Sequence, residues 1–189
     1  MTLRLTLLCA GATERGGDGF SGADAPLAPG EARRAAMLHA VDGAGAACAP
    51  TAAARETAAA MGVNAAVEPR LADIDHGVWA GLSFDQAAAR DGAALAAWLA
   101  APQAGAPGGE SLAAVVARVT PWLDAASERN GRLLAITHPM VVRAALSAAL
   151  SLPLAATMRI DLAPLGGVTL SFHRGWRWQA LTPRRETNR

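Results

Sequence analysis

The chain contains neither lysine nor tyrosine, and all 17 of its basic residues are arginine. Both absences run the whole length, so they reflect a compositional bias and carry little functional weight. Cysteine is scarce: Cys9 and Cys48 are the two in the chain, which excludes a disulfide framework. Charge is scarce too. Only 17% of residues are charged and the net charge is +1, leaving no electrostatic footprint for nucleic acid or an anionic membrane surface. No apolar run approaches the roughly 20 residues of a membrane span. The apolar start from Leu3 to Leu8 is interrupted by Arg4 and is too short for a secretion signal, and Leu8 before Cys9 does not suit lipoprotein processing. A cytoplasmic location is the expectation.

What the chain does have is alanine, glycine and aliphatic residues. Hydrophobic content is 52% over 189 residues, which suits one globular domain spanning residues 1–189. Leu3 to Leu8 reads as a buried strand, followed by a loop rich in glycine from Gly11 to Gly22. Pro29 is placed to open a helix reaching His39, and Pro50 to Met61 a second helix stopped by Gly62. Asn64 to Glu68 suits a short strand. Ser83 with Gln86 forms a capping-box signature for a helix to Ala100. Glu110 to Arg129 has helical periodicity with Pro121 expected to kink or break it. Leu133 to Thr137 reads as a buried strand, Met140 to Leu150 as a helix, and Val168 to Phe172 with Trp176 to Leu181 as a hairpin about Arg174-Gly175. Strands alternating with helices indicate an α/β layered domain with a largely parallel sheet.

In such sheets ligands bind beyond the carboxyl ends of strands. Two strand ends stand out, Leu8-Cys9-Ala10-Gly11 and Ile136-Thr137-His138-Pro139. A third unusual segment, Leu71-Ala72-Asp73-Ile74-Asp75-His76-Gly77-Val78-Trp79-Ala80-Gly81, matches neither helix nor strand periodicity.

These segments, taken with Gly22 to Leu27, Pro50 to Ala58 and Pro107-Gly108-Gly109-Glu110-Ser111, resemble the histidine phosphatase (phosphoglycerate mutase-like) superfamily in order and spacing. The resemblance implies a three-layer sandwich, a mostly parallel central sheet with helices on both faces. It also implies phosphoryl transfer, in which a histidine at the first strand end attacks phosphorus, two arginines and a second histidine surround the phosphate, and a carboxylic acid protonates the leaving oxygen. Carried over position by position, the first arginine falls on Cys9, the nucleophilic histidine on Ala10, the second arginine on Ala53, and the acid on Asp73. Arg55 lies two residues beyond Ala53. The second histidine is retained as His138, but the glycine after it is Pro139, which lacks an N–H. Alanine cannot attack phosphorus, so the resemblance implies a degenerate member, a pseudophosphatase with a residual pocket.

Each candidate residue admits a plainer reading. His138 is a leftover base or a buried histidine bonded to a loop carbonyl. Asp73 is a surviving acid or a loop aspartate capping backbone N–H groups. Asp75 and His76 lack a third metal ligand, and no metal or cofactor is expected. Arg143 is read as structural, facing a carboxylate at the sheet edge. Trp79, Trp98, Trp176 and Trp178 are read as packing residues. Cys9 to Arg15 has the cysteine-x5-arginine spacing of cysteine-dependent phosphatases, with Gly11, Thr13 and Arg15 as phosphate-binding candidates. Against it, Glu14 would repel phosphate and the glycines that follow do not begin a helix. An active phosphomonoesterase or mutase using Cys9 or a water activated by His138 is the enzymatic alternative. A protein-interaction module, a homodimer through the Trp176/Trp178 hairpin, is the non-enzymatic one. The expected ligand is a small phosphorylated molecule or none.

Overall fold

The computed structural model describes residues 2–14, 19–20, 24–38 and 45–179. Its centre is a sheet of six strands: β1 (Leu3–Cys9), β2 (Gly45–Cys48), β3 (Ala66–Val67), β4 (Gly131–Thr137), β5 (Gly167–Phe172) and β6 (Trp176–Gln179). The spatial order is β3-β2-β4-β1-β5-β6. The first four strands in that order run parallel, while β5 and β6 are antiparallel additions. Around the sheet lie α1 (Glu31–Ala36), α2 (Ala52–Ala60), α3 (Phe84–Ala100), α4 (Leu112–Ser127), α5 (Pro139–Leu150) and α6 (Leu154–Thr157). This is an α/β fold with a mixed, mostly parallel sheet.

Burial explains why these segments are strands. Leu3, Leu5, Leu7, Leu8 and Cys9 are all buried, as are Leu133 to Thr137, the near-continuous apolar pattern of strands covered on both faces. β4 lies between β1 and β2, so the chain skips a position to form β2 and returns later to fill the gap. That crossover brings the carboxyl ends of β1 and β4 side by side, with Cys9 registered against Thr137.

Several expected elements differ in detail. Helix α1 begins only after Gly30, whose φ of +89° follows Pro29; His39 lies outside the described residues. The strand expected at Asn64 to Glu68 is reduced to Ala66–Val67. Pro121 does not break α4, which runs unbroken past it. Pro121 and Ala117 are both exposed, so the carbonyl that loses its partner is solvated. The break falls instead in α3 at Asp91, whose φ of −158° and ψ of 81° are non-helical. The Asp91 carboxylate accepts the Ala94 N–H at 3.0 Å, capping a second helical segment. Trp176 packs edge-on against Phe172 at 5.1 Å, but Trp178 is 64% exposed, which corrects the packing reading for that residue. Of the strand expected from Trp176 to Leu181, the part within the described residues ends at Gln179.

Candidate functional site

A cavity of 920 Å³ opens at the carboxyl ends of β1 and β4, lined among others by Cys9, Ala10, Thr51, Ala53, Asp73 and His138. Local structure places each of these. Cys9 is the last residue of β1 and Ala10 follows it, its N–H bonded to the Thr137 carbonyl at 2.7 Å. Thr51 is the N-cap of α2 and His138 the N-cap of α5. Both cap residues have extended backbones, so their side chains stand at the strand-to-helix turns that face the cavity.

The loop carrying Asp73 is held by an interlock between two segments distant in sequence. The Val78 N–H donates to the Pro107 carbonyl at 3.1 Å, and the Glu110 N–H to the Asp75 carbonyl at 2.8 Å. A Cβ on Gly109 would meet the Asp75 carbonyl oxygen, and one on Gly77 the Pro107 carbonyl oxygen, well inside contact distance. Arg118 on α4 clamps the same junction. Its guanidinium bonds the Glu110 carboxylate at 2.9 and 3.1 Å and donates to the carbonyls of Arg70, Ala72 and Asp73.

Within the site, Asp73 Oδ1 accepts its neighbour Ile74's N–H at 2.8 Å, and Asp73 Oδ2 lies 3.6 Å from His138 Nδ1. The other ring nitrogen of His138, Nε2, is 2.9 Å from Thr51 Oγ1. The histidine therefore bridges a carboxylate and a hydroxyl, where the plainer expectation was a bond to a loop carbonyl. Asp73 both caps its own loop and faces His138, so its two readings meet in one residue.

Cys9 is fully buried, and burial pushes its thiol up to about 11, with Arg143 pulling the other way and Asp73 adding slightly. A thiol so raised stays protonated at neutral pH, the opposite of an activated thiolate. Gly11 and Thr13 line the cavity. The Gly11 N–H is already bonded to Thr57 Oγ1 at 3.0 Å and the Ala12 N–H to Glu31 Oε2 at 3.0 Å, so neither amide is turned toward an incoming anion. Arg15 lies outside the described residues. Arg55 pairs at the surface with Asp24, 3.5 Å away. Arg143 donates to the Ile160 carbonyl at 2.9 Å, so its direct partner is a backbone carbonyl where a carboxylate was expected. Burial lowers its basicity, with Cys9 and Asp161 acting in the opposite sense.

His76 is pushed down by burial, against the pull of Asp73 and Asp75. It stacks edge-on with Phe20 at 5.2 Å, and Phe20 also contacts Trp79 and Trp98 at 5.0 and 5.1 Å. Phe20 and Trp79 belong to a second apolar cluster, separate from the main core, with Trp98 packed against it. Among the described residues no three His, Cys, Asp or Glu side chains group to hold a metal ion, and no helix is long and apolar enough to cross a membrane. Sequence reasoning missed Thr51, Glu31, Thr57 and Arg118. The cap position after Pro50 is the one local signal for Thr51, and nothing local marks the other three.

The layered α/β sheet with a cavity at the β1/β4 switch defines a phosphoglycerate mutase-like fold. The sequence matches the histidine phosphatase superfamily (branch 1) over residues 5–183, and the chain belongs to that family. Solved structures agree in fold. A mycobacterial glucosyl-3-phosphoglycerate phosphatase superposes with a TM-score of 0.82 at 23% identity, covering 94% of this chain and 97% of that one. A putative alpha-ribazole-5'-P phosphatase from Escherichia coli gives 0.83 at 21% identity, covering 96% and 97%. An open reading frame product from Mycobacterium tuberculosis gives 0.76 at 25% identity, covering 94% and 96%. No curated protein matches the sequence.

Proposed function

We propose that this member of the histidine phosphatase superfamily is a pseudophosphatase, a phosphatase-fold protein that keeps the ligand pocket without the phosphohistidine route. Ala10 carries the reading: a methyl group lines the cavity at the strand end where the family's nucleophile is expected. A methyl group has no lone pair to form a P–N or P–O bond, so no phosphoenzyme can form there. The charge of the pocket supports the same reading. Among the described residues no arginine lines it, whereas Glu14, Asp24, Asp73 and Asp75 do. Phosphoryl transfer depends on cationic donors around the equatorial oxygens, and losing one such donor typically costs about 100 to 1000-fold in rate. The raised Cys9 thiol argues against the cysteine route.

Assay of the purified chain on p-nitrophenyl phosphate tests this. No turnover above the buffer rate is expected for the wild type. The triple variant Cys9→Arg, Ala10→His, Ala53→Arg is expected to gain activity, the outcome that marks an intact scaffold with a disarmed site. Wild-type phosphate turnover abolished by His138→Ala or Asp73→Ala would overturn the reading.

A further inference from the structure

The pocket holds a contact between Thr51 and His138 that the family's chemistry does not use. Thr51 Oγ1 lies 2.9 Å from His138 Nε2, and the opposite ring nitrogen faces Asp73 Oδ2 at 3.6 Å. We propose that Thr51, His138 and Asp73 form a nucleophile–base–carboxylate triad, and that the cavity hydrolyses carboxylic esters that are neutral or cationic.

Hydroxyl, imidazole and carboxylate are in the order such a relay requires, and each is positioned independently of the other two. Thr51 is fixed by capping α2, its oxygen accepting the Ala54 N–H at 3.4 Å. His138 is fixed by the strand-to-helix turn, and its side chain makes no cap bond within its own helix, which leaves both ring nitrogens for the relay. Asp73 is fixed by the Ile74 N–H and by the Arg118 clamp on its backbone carbonyl. The Asp73–His138 separation is longer than a hydrogen bond, a common condition of such groups before substrate arrives. With Nδ1 protonated toward Asp73, Nε2 is the basic nitrogen, and it sits on the hydroxyl.

The step balances without any added group. Thr51 Oγ1 bonds to the ester carbonyl carbon while its proton passes to His138 Nε2. The tetrahedral intermediate expels the alcohol, which takes that proton, and leaves an acyl-threonine. Water then adds to the acyl carbon and gives its proton to Nε2; the carboxylic acid departs as Thr51 Oγ1 regains a proton. The first turn of α5 lacks a side-chain cap and Met140 lines the cavity, so the Met140 N–H is the donor the proposal assigns to the oxyanion. The acidic lining of Glu14 and Asp75 selects against anionic esters and against phosphate. The pocket that the pseudophosphatase reading leaves without phosphate chemistry is thus suited to acyl chemistry, but the triad stands on its own geometry and is tested on a different substrate.

The full chain is assayed with p-nitrophenyl acetate and p-nitrophenyl hemisuccinate, and separately incubated with a neutral fluorophosphonate whose site of attachment is read by peptide mass spectrometry. Expected is turnover of the acetate at least about tenfold better in kcat/KM than of the hemisuccinate, and labelling on Thr51. Thr51→Val and His138→Gln are expected to lower kcat/KM by about 100-fold or more and to abolish labelling, whereas Thr51→Ser keeps both within about tenfold. Thermal melting confirms that each variant is folded. Thr51→Ser also preserves the cap of α2, so it decides the matter if Thr51→Val does not fold. Absence of ester turnover and labelling in the wild type, turnover unchanged in folded Thr51→Val or His138→Gln, or attachment elsewhere would overturn the triad. Faster turnover of the hemisuccinate would overturn the charge selection. Phosphate turnover in the wild type would overturn the pseudophosphatase reading alone.

Discussion

Gly77 and Gly109 show how single residues carry the site without touching it. Gly77 has a φ of +53°, and a Cβ on either of the two would run into the backbone of the other segment. A methyl group at Gly77 therefore meets a carbonyl oxygen in a conformation that side chains disfavour. Gly77→Ala is expected to destabilise the fold by about 2–4 kcal/mol, read as a lowered urea midpoint at unchanged slope. Arg118 is the polar counterpart. Arg118→Met leaves three carbonyl oxygens without their donor and strips the Glu110 carboxylate of its cationic partner, with the Asp75 N–H still bonded to Oε2. The clamp is partly exposed, so a loss of about 1–3 kcal/mol is expected, checked by the same denaturation. Legibility at this scale divides along sequence distance. His138 and Asp73 could be found because the segments holding them are unusual in themselves. Thr51 could not, because what distinguishes it is a histidine 87 residues away. The cooperation of the His76–Gly81 and Pro107–Ser111 segments has the same origin: their backbones interlock, so each requires the other's glycines.

Elements are more legible than residues because helices and strands announce themselves by local pattern. The capping box at Ser83 and Gln86 is present in full, with both reciprocal bonds formed. The strands β1 and β4 lie where their apolar runs place them. Two of the departures concern helix interiors. Pro121 sits on the solvent side of α4, where the Ala117 carbonyl is free to bond water and the helix continues. Asp91-Gly92 supplies a cap and a flexible residue together, and there the helix does break. These two sites respond in opposite directions. Pro121→Ala restores a backbone bond and is expected to stabilise by about 1–3 kcal/mol. Asp91→Ala removes the Ala94 cap and is expected to cost about 1 kcal/mol. Differential shifts in Tm of the two variants check the pair, and a Tm that falls in Pro121→Ala would show that proline is favoured by packing.

Over the whole molecule, the absence of lysine and tyrosine becomes an experimental advantage. The α-amino group titrates near about 8, and arginine stays charged to beyond about 12. Between those limits, thiols are the side chains left to titrate. Both cysteines are buried, at the carboxyl ends of the two strands that flank β4. Burial raises both, Cys9 from 9.0 to about 11 and Cys48 in the same direction. A raised thiol binds its proton more tightly in the folded state than in the unfolded one. The unfolded chain therefore loses its proton first, and the contribution to stability is full below pH 9.0 and lost as pH rises through about 11. For Cys9 this amounts to about 2–3 kcal/mol, since each tenfold gain in proton affinity is worth about 1.4 kcal/mol. Urea denaturation at pH 8 and again above the folded-state pKa should show the wild type losing this much more than Cys9→Ala, with Cys9→Ala,Cys48→Ala flatter still. Parallel pH profiles for wild type and Cys9→Ala would mean that the Cys9 thiol titrates as it does in water. The β1 end would then be open to solvent, and the protonated, inert thiol that argues against a cysteine phosphatase would be lost.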